Sequence, residues 1–313
     1  MLDAASKALF HSLAGVDLLK RLASRYGMPE RGGGFARRFI AGESVEDAIA
    51  AVRPLAGRGL LLTLDYLGES VATMEEADQA TRDYRKILQA IALADIERNV
   101  SVKLTQLGLD VDRATCVDNL RRILDPAVEH GFFVRIDMES SAYTDLTLQV
   151  FETIWHQGYT NIGLVLQSCL MRTPQDMDRL IELGARVRLV KGAYKEPKTV
   201  AFQKKAEVDE AYLRLMKKLL DASTYPAIAT HDVAMIEATK AYAAEKGYAK
   251  ERFEFQMLYG IRRDLQASLV KQGYRVRVYV PFGKQWYPYF MRRLGERPAN
   301  VAFVLRGIFG EDA

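Results

Sequence analysis

The chain has 313 residues, 49% of them hydrophobic and 27% charged, which suits a folded globular protein and excludes disordered, collagen-like and disulfide-framed chains. Lys+Arg 44 against Asp+Glu 40 leaves a net charge of +4 with the signs interspersed, too weak a field for a nucleic-acid binder. Cys116 and Cys169 stand in unrelated contexts, and the N-terminus lacks a basic segment followed by a long apolar run, so a reducing, cytoplasmic setting is expected, without a zinc centre.

Residues 1–58 hold helical stretches at 4–23, 37–40 and 45–55 and are expected to form an α-helical extension packed on the domain that follows, 59–313. The triple glycine at 32–34 has no strand before it, so it reads as a flexible loop and not as a dinucleotide fingerprint. From residue 60 onward, short runs rich in Val, Ile and Leu alternate with longer stretches of helical periodicity. Strands are expected at 60–64, 101–104, 132–136, 162–166, 187–190, 227–229, 253–257 and 276–280. Helices are expected between them at 75–98, 113–130, 146–158, 174–184, 206–222, 233–246 and 260–273. Gly131, Gly158, Gly184, Gly247 and Gly273 each stand where such a helix must stop, a place that favours positive φ. Eight strands alternating with helices over about 250 residues predict the α/β class and a closed (βα)8, TIM-type barrel, with a doubly wound open sheet as the rival.

In such a barrel the reacting groups sit at the C-terminal ends of the strands. Chain order puts there Asp65, Glu69, Lys103, Asp137, Glu139, Gln167, Arg188, Lys191, Thr230, His231, Asp232, Gln256, Tyr259 and Tyr279. Packing alone hardly explains so many ionisable groups at one mouth. Lys103 and Arg188 are expected within apolar strands, where a charge needs a partner or a ligand. An ion pair with Asp137 would satisfy them, and the same three groups would also orient a zwitterionic ligand. Lys191 in RLVKGAY is followed by Gly192 and Ala193, which let a ligand approach the backbone; taken alone it would support a class I Schiff-base aldolase. His231 is the histidine at a strand end, and one histidine builds no metal centre of the His-rich barrel type. Tyr289, Arg292, Arg293 and Glu296 share one helical face after the last strand. The adjacent arginines can fork onto a carboxylate or phosphate, or simply face water.

The segments SVKLTQLG (101–108), RIDMES (135–140), VLQSCL (165–170), RLVKGAY (188–194), ATHD (229–232), EFQMLYG (254–260), VYVPFG (278–283) and YFMRRLGERPAN (289–300) occur together and in order. The set, over residues 60–309, resembles the FAD-dependent proline dehydrogenases, in particular their short monofunctional bacterial form. The resemblance implies a distorted (βα)8 barrel with non-covalent FAD, oxidising L-proline to Δ1-pyrroline-5-carboxylate by hydride transfer to flavin N5 and passing electrons to a quinone. It implies that Lys103, Arg292 and Arg293 hold the proline carboxylate, that Tyr279 and Tyr289 pack around the ring, and that Glu69 forms a lid ion pair with Arg292. Asp137 and Arg188 would be the polar pair of the active site, with Arg188 near the flavin. Met138, Gln167, Lys191, Gly192, Ala193, Thr230 and His231 would line the cofactor; Asp232 stands where many relatives carry Asn. Quinone access would call for peripheral contact with the inner face of the cell membrane, and pyrroline-5-carboxylate dehydrogenase would be the functional neighbour. The competing readings are the aldolase and a metabolite-binding barrel without redox work.

Overall fold

The computed structural model describes residues 35–68 and 70–296, with the helical backbone alone for 292–296. The strands are β1 (Leu61–Tyr66), β2 (Asn99–Val102), β3 (Phe133–Ile136), β4 (Ile162–Gln167), β5 (Arg186–Val190), β6 (Ala227–Ala229), β7 (Glu254–Leu258) and β8 (Arg275–Phe282). Each pairs in parallel with its chain neighbours and β8 closes on β1, giving the barrel that the alternation predicted. Helix α1 (Val45–Ala56) precedes β1. Helices α2 (Met74–Ala94), α3 (Arg113–Glu129), α4 (Thr144–His156), α5 (Thr173–Glu182), α6 (Lys205–Ala222), α7 (Val233–Glu245) and α8 (Arg263–Lys271) fill the crossovers. Helix α9 (Trp286–Glu296) follows β8.

The helix ends follow local chemistry. Thr73 and Glu76 form a reciprocal capping box at the start of α2, Asp112 accepts from Thr115 N at 2.6 Å to open α3, and Asp232 accepts from Ala234 N to open α7. All five glycines expected at helix ends have positive φ, from 65° at Gly247 to 95° at Gly158. Several expected boundaries move by a few residues, three of them next to the site or with a visible local cause. Helix α2 stops at Ala94, because Asp95 turns left-handed at φ 51°. Helix α8 starts only at Arg263, after Gly260 and Arg262 reverse the chain at φ 74° and 48°. Strand β2 ends at Val102, so Lys103 is the first residue beyond the strand and not part of it. The stretch 37–40 is a short 3-10 turn, Phe35–Arg38, whereas the expected helix at 4–23 and the glycines at 32–34 lie outside the described residues.

Alternation along the strands separates two environments. Leu62, Leu64, Val100, Val102, Val134, Ile136, Val187, Leu189, Val276 and Val278 join Ile87, Leu88, Leu120, Ile123 and Leu219 of the surrounding helices in one buried apolar core. Each such side chain contributes about 1.5–3 kcal/mol by leaving water. The intervening residues are polar: Thr63 and Asp65, Asn99 and Ser101, Arg186 and Arg188, Glu254 and Gln256, Arg277 and Tyr279. Their hydrogen bonds join neighbouring strands, as where the Thr63 hydroxyl donates to Asn99 Oδ1 at 2.8 Å. A second apolar cluster, including Phe39, Ile40, Leu67, Trp286 and Phe290, packs α9 against the 3-10 turn, and Trp286 Nε1 donates to Glu43 at 2.8 Å.

Candidate active site

A chain of polar contacts climbs through the barrel. At its base Arg277 donates to both carboxylate oxygens of Glu254 (2.7 and 3.0 Å), to Glu97 (2.6 Å) and to the Leu62 carbonyl (2.6 Å). Burial works to raise the Glu254 carboxyl, yet Arg277 outweighs it and holds the group below the usual range. The Gln256 amide donates to Glu254 and its carbonyl accepts from Arg188 Nε at 2.5 Å. Arg188 Nη1 in turn donates to Asp137 at 2.8 Å.

Asp137, one residue past β3, is where the mouth converges. Beside Arg188 it accepts from the Tyr279 hydroxyl at 2.7 Å, the Ser101 hydroxyl at 3.2 Å and the Lys103 ammonium at 3.5 Å. Burial raises this carboxyl, but Lys103 and Arg188, helped by the two hydroxyls, hold it below the ordinary range. Lys103 makes its shorter contact, 3.0 Å, with Asp65 at the end of β1. Asp65 is 1% exposed and Lys103 7%, and one Asp65 oxygen, Oδ2, has no hydrogen-bond partner. Burial pushes the Asp65 carboxyl up, against the pull of Lys103. The Arg188 guanidinium lies 5.3 Å from the Tyr279 ring centroid. Lys103, Arg188, Asp137 and Tyr279 therefore meet in one cluster, and the ion pairs weighed from the sequence are formed. Among the described residues no group of His, Cys, Asp and Glu could hold a metal ion.

Asp65 is the residue whose weight the sequence reading missed, since it was noted only as a polar group at a strand end. The available signal was strand period: Asp65 in LTLD and Ser101 in SVK both fall on the polar, inward face. Tyr84 of α2 supports this corner by donating to Gln106 Oε1 at 3.0 Å. The turn after β1 lies on the same glutamine, where a Cβ at Gly68 would run into the Gln106 amide.

The ends of β4 to β6 form the second half of the site. Gln167, 2% exposed, is held through Nε2 by the carbonyls of Met138 and Glu139 at 3.4 and 3.1 Å, which leaves Oε1 buried and without a partner. A donor from outside the protein can complete such a fixed acceptor, and a flavin ring N–H is one. Gly192 has φ 113°, and a Cβ there would run into Cys169 Sγ, so the chain after β5 lies bare against Gln167 and Cys169. A cavity of about 440 Å3 opens beside it, lined by Lys191, Thr230, His231, Asp232, Val233 and Arg262. His231 Nε2 accepts from Leu258 N at 2.9 Å, and the Thr230 hydroxyl accepts from Asp232 N at 3.0 Å. These features fit a flavin nucleotide.

Lys191 lies between Asp209 and Asp232, at 2.5 and 2.7 Å, and its hydrogen bond holds the Asp232 carboxyl below the usual range. With its nitrogen engaged in two ion pairs, Lys191 has the partners of a structural cation and not the apolar surroundings of a Schiff-base lysine, which speaks against the aldolase reading. Tyr289 packs in the second apolar cluster and Met138 is buried, while Ala193 is exposed in the loop after β5. The α9 backbone carries Arg292 and Arg293, but their side chains, that of Glu296 and the whole of Glu69 lie outside the described residues.

The chain matches the family described as Proline dehydrogenase over residues 48–306. It is 43% identical to Proline dehydrogenase 2 of Bacillus subtilis (strain 168) over 300 residues, 96% of this chain and 97% of that protein. It is 44% identical to the Proline dehydrogenase of Deinococcus radiodurans over 277 residues, 87% of this chain and 89% of that one. Among solved structures, proline utilization A (PutA) from Bdellovibrio bacteriovorus, inactivated by N-propargylglycine, superposes with a TM-score of 0.78 at 30% identity. That match covers 89% of this chain and only 34% of the larger protein. The chain belongs to the proline dehydrogenase family, in its monofunctional bacterial form.

Proposed function

We propose that the barrel mouth binds L-proline by its carboxylate and releases it as Δ1-pyrroline-5-carboxylate, with non-covalent FAD as the immediate oxidant and a quinone as the final one. The observation that carries this reading is the buried cluster of Lys103, Asp65, Asp137 and Arg188 beside Tyr279. Lys103, joined by Arg292 and Arg293, supplies charge for the substrate carboxylate, and the Tyr279 ring with Tyr289 gives the apolar ring a surface to pack on. Asp137 fixes both Arg188 and Tyr279, so that the ligand meets side chains already in place. Lys103 and Arg188 are 7% and 5% exposed, and so little water around them strengthens their hold on an anion.

FAD, when bound, supplies the two-electron acceptor that no side chain offers. Gln167 would accept from its ring, Gly192 and Ala193 would let it approach the backbone, and Lys191, Thr230 and His231 would line its cavity, with Met138, whose carbonyl holds the Gln167 amide, beside them. Glu69 and Arg292 would close the site as an ion pair. Quinone reduction goes with peripheral contact of a cytoplasmic enzyme with the inner face of the cell membrane, and no described helix is long and apolar enough to cross one. Pyrroline-5-carboxylate dehydrogenase would consume the product.

The test is turnover. Purified protein supplied with FAD should reduce an artificial dye acceptor only when L-proline is added, and the cyclic imine formed should be trapped by an aromatic amino-aldehyde. No proline-dependent dye reduction overturns the reading.

A further inference from the structure

Resting on that reading, we propose that Gln256 is a positioning residue of the reaction: its amide carries the order of the barrel base up to Arg188 and holds that guanidinium where it meets the ligands. The two residues stand on β7 and β5, which are not neighbours, because β6 runs between them. Arg188 is level with Ala227 of β6, Ala227 with Glu254 of β7, and Ala229 with Gln256. Partners in a parallel ladder share one face, so β6 sends Ile228 into the apolar core and turns two methyl groups to the polar face. Those small side chains leave the gap across which Arg188 Nε donates to Gln256 Oε1 at 2.5 Å.

An amide suits this place. One end must accept from a guanidinium and the other must donate to a carboxylate, and a glutamine does both. Glu254 decides which end faces which. Arg277 holds it as a carboxylate, so it takes the Gln256 N–H and turns the amide carbonyl to Arg188. The reversed amide would set oxygen against oxygen and donor against donor. Arg188 needs this second anchor. Asp137 alone, at Nη1, would let the guanidinium pivot, and the charge of Arg135, buried nearby, repels it. Both Arg188 and Gln256 are buried, so water does not replace a lost bond between them. Held at Nε and Nη1, Arg188 keeps Nη2 without a hydrogen-bond partner among the described residues, and that nitrogen is left for a ligand. Gln256 touches no reacting atom and acts through Arg188.

The experiment compares flavin-loaded wild type, Gln256→Met and Gln256→Glu, the last of which keeps an acceptor for Arg188. By NMR of arginine-labelled protein, solvent exchange of the Arg188 Nε–H, assigned by its loss in Arg188→Lys, should be at least about tenfold faster in Gln256→Met and stay slow in Gln256→Glu. On anaerobic mixing with proline, the limiting rate of flavin bleaching should fall about 10- to 100-fold in Gln256→Met, while the half-saturating proline concentration moves less than about threefold, because the carboxylate is held by other cations. Gln256→Glu should recover most of the rate. Gln256→Asn, whose amide is one methylene too short, carries the same expectations if Gln256→Met does not fold. Unchanged Nε–H exchange overturns this inference, as does a loss confined to proline affinity or a Gln256→Glu as slow as Gln256→Met. A wild type that proline does not bleach overturns the proposed function instead, and the exchange measurement still judges Gln256.

Discussion

The base and the mouth of the barrel are built from the same side-chain types and use them oppositely. At the base, both oxygens of Glu254 are taken, by Arg277, Gln256 and the Tyr225 hydroxyl, and Arg277 also grips Glu97 and a backbone carbonyl. At the mouth, Asp65 and Gln167 each keep a buried oxygen without a partner, and toward the base Arg135 Nε, Arg186 Nε and Asn161 Oδ1 do so too. Open capacity alone therefore does not mark the site; position does. The completed Glu254–Arg277 pair holds the fold from below, while the open oxygens of Asp65 and Gln167 stand at the C-terminal strand ends, where this fold places its ligands.

Changes at the two levels should separate stability from function. The largest effect is expected for Glu254→Gln, which takes from the buried Arg277 its fully buried carboxylate and leaves it Glu97 and the Leu62 carbonyl; it should lower the unfolding free energy by about 3 kcal/mol in denaturant titrations. Because the folded Glu254 carboxyl sits below its unfolded value, this contribution is present above the ordinary glutamate range and is lost as pH falls through the folded value. Wild type and variant should therefore converge in acid. Lys103→Met should cost about 2–5 kcal/mol in kcat/KM for proline, roughly 30-fold or more, with a much smaller change in stability, since Asp65 can neutralise itself by taking a proton. Gly192→Ala forces a side chain into φ 113° against Cys169, about 1–3 kcal/mol of strain, and should show as a reduced flavin-to-protein absorbance ratio. The smallest effect is expected for Asp65→Asn, which takes the 3.0 Å partner from buried Lys103 and leaves it Asp137 at 3.5 Å; it should lower the unfolding free energy by about 1–2 kcal/mol in the same titrations.

The barrel was legible because each helix stop carries a glycine or a cap and each strand an apolar run. The five helix-end glycines were read correctly for that reason, since a positive φ is a local property. Strand ends were less legible: Lys103 follows three residues that look like strand, and only pairing shows that β2 ends one residue before it. The mouth was legible as a set of residue types and not as a set of partners. Asp137 stood out between Lys103 and Arg188, but Asp65 joins them because β1 and β2 align it with Ser101, a register no local pattern contains. The base was not read at all, although RVR and EFQ, with a polar side chain at every second position, carry it. Lys191 misled because its Asp209 partner lies on a different element.

The most direct test of proline oxidation at this mouth is a visible spectrum of the flavin-loaded protein, recorded without oxygen before and after addition of L-proline. The flavin bands should bleach on mixing and return when a quinone is supplied, and Lys103→Met should need far more proline for the same bleaching. A flavin spectrum left unchanged by excess proline would contradict the account.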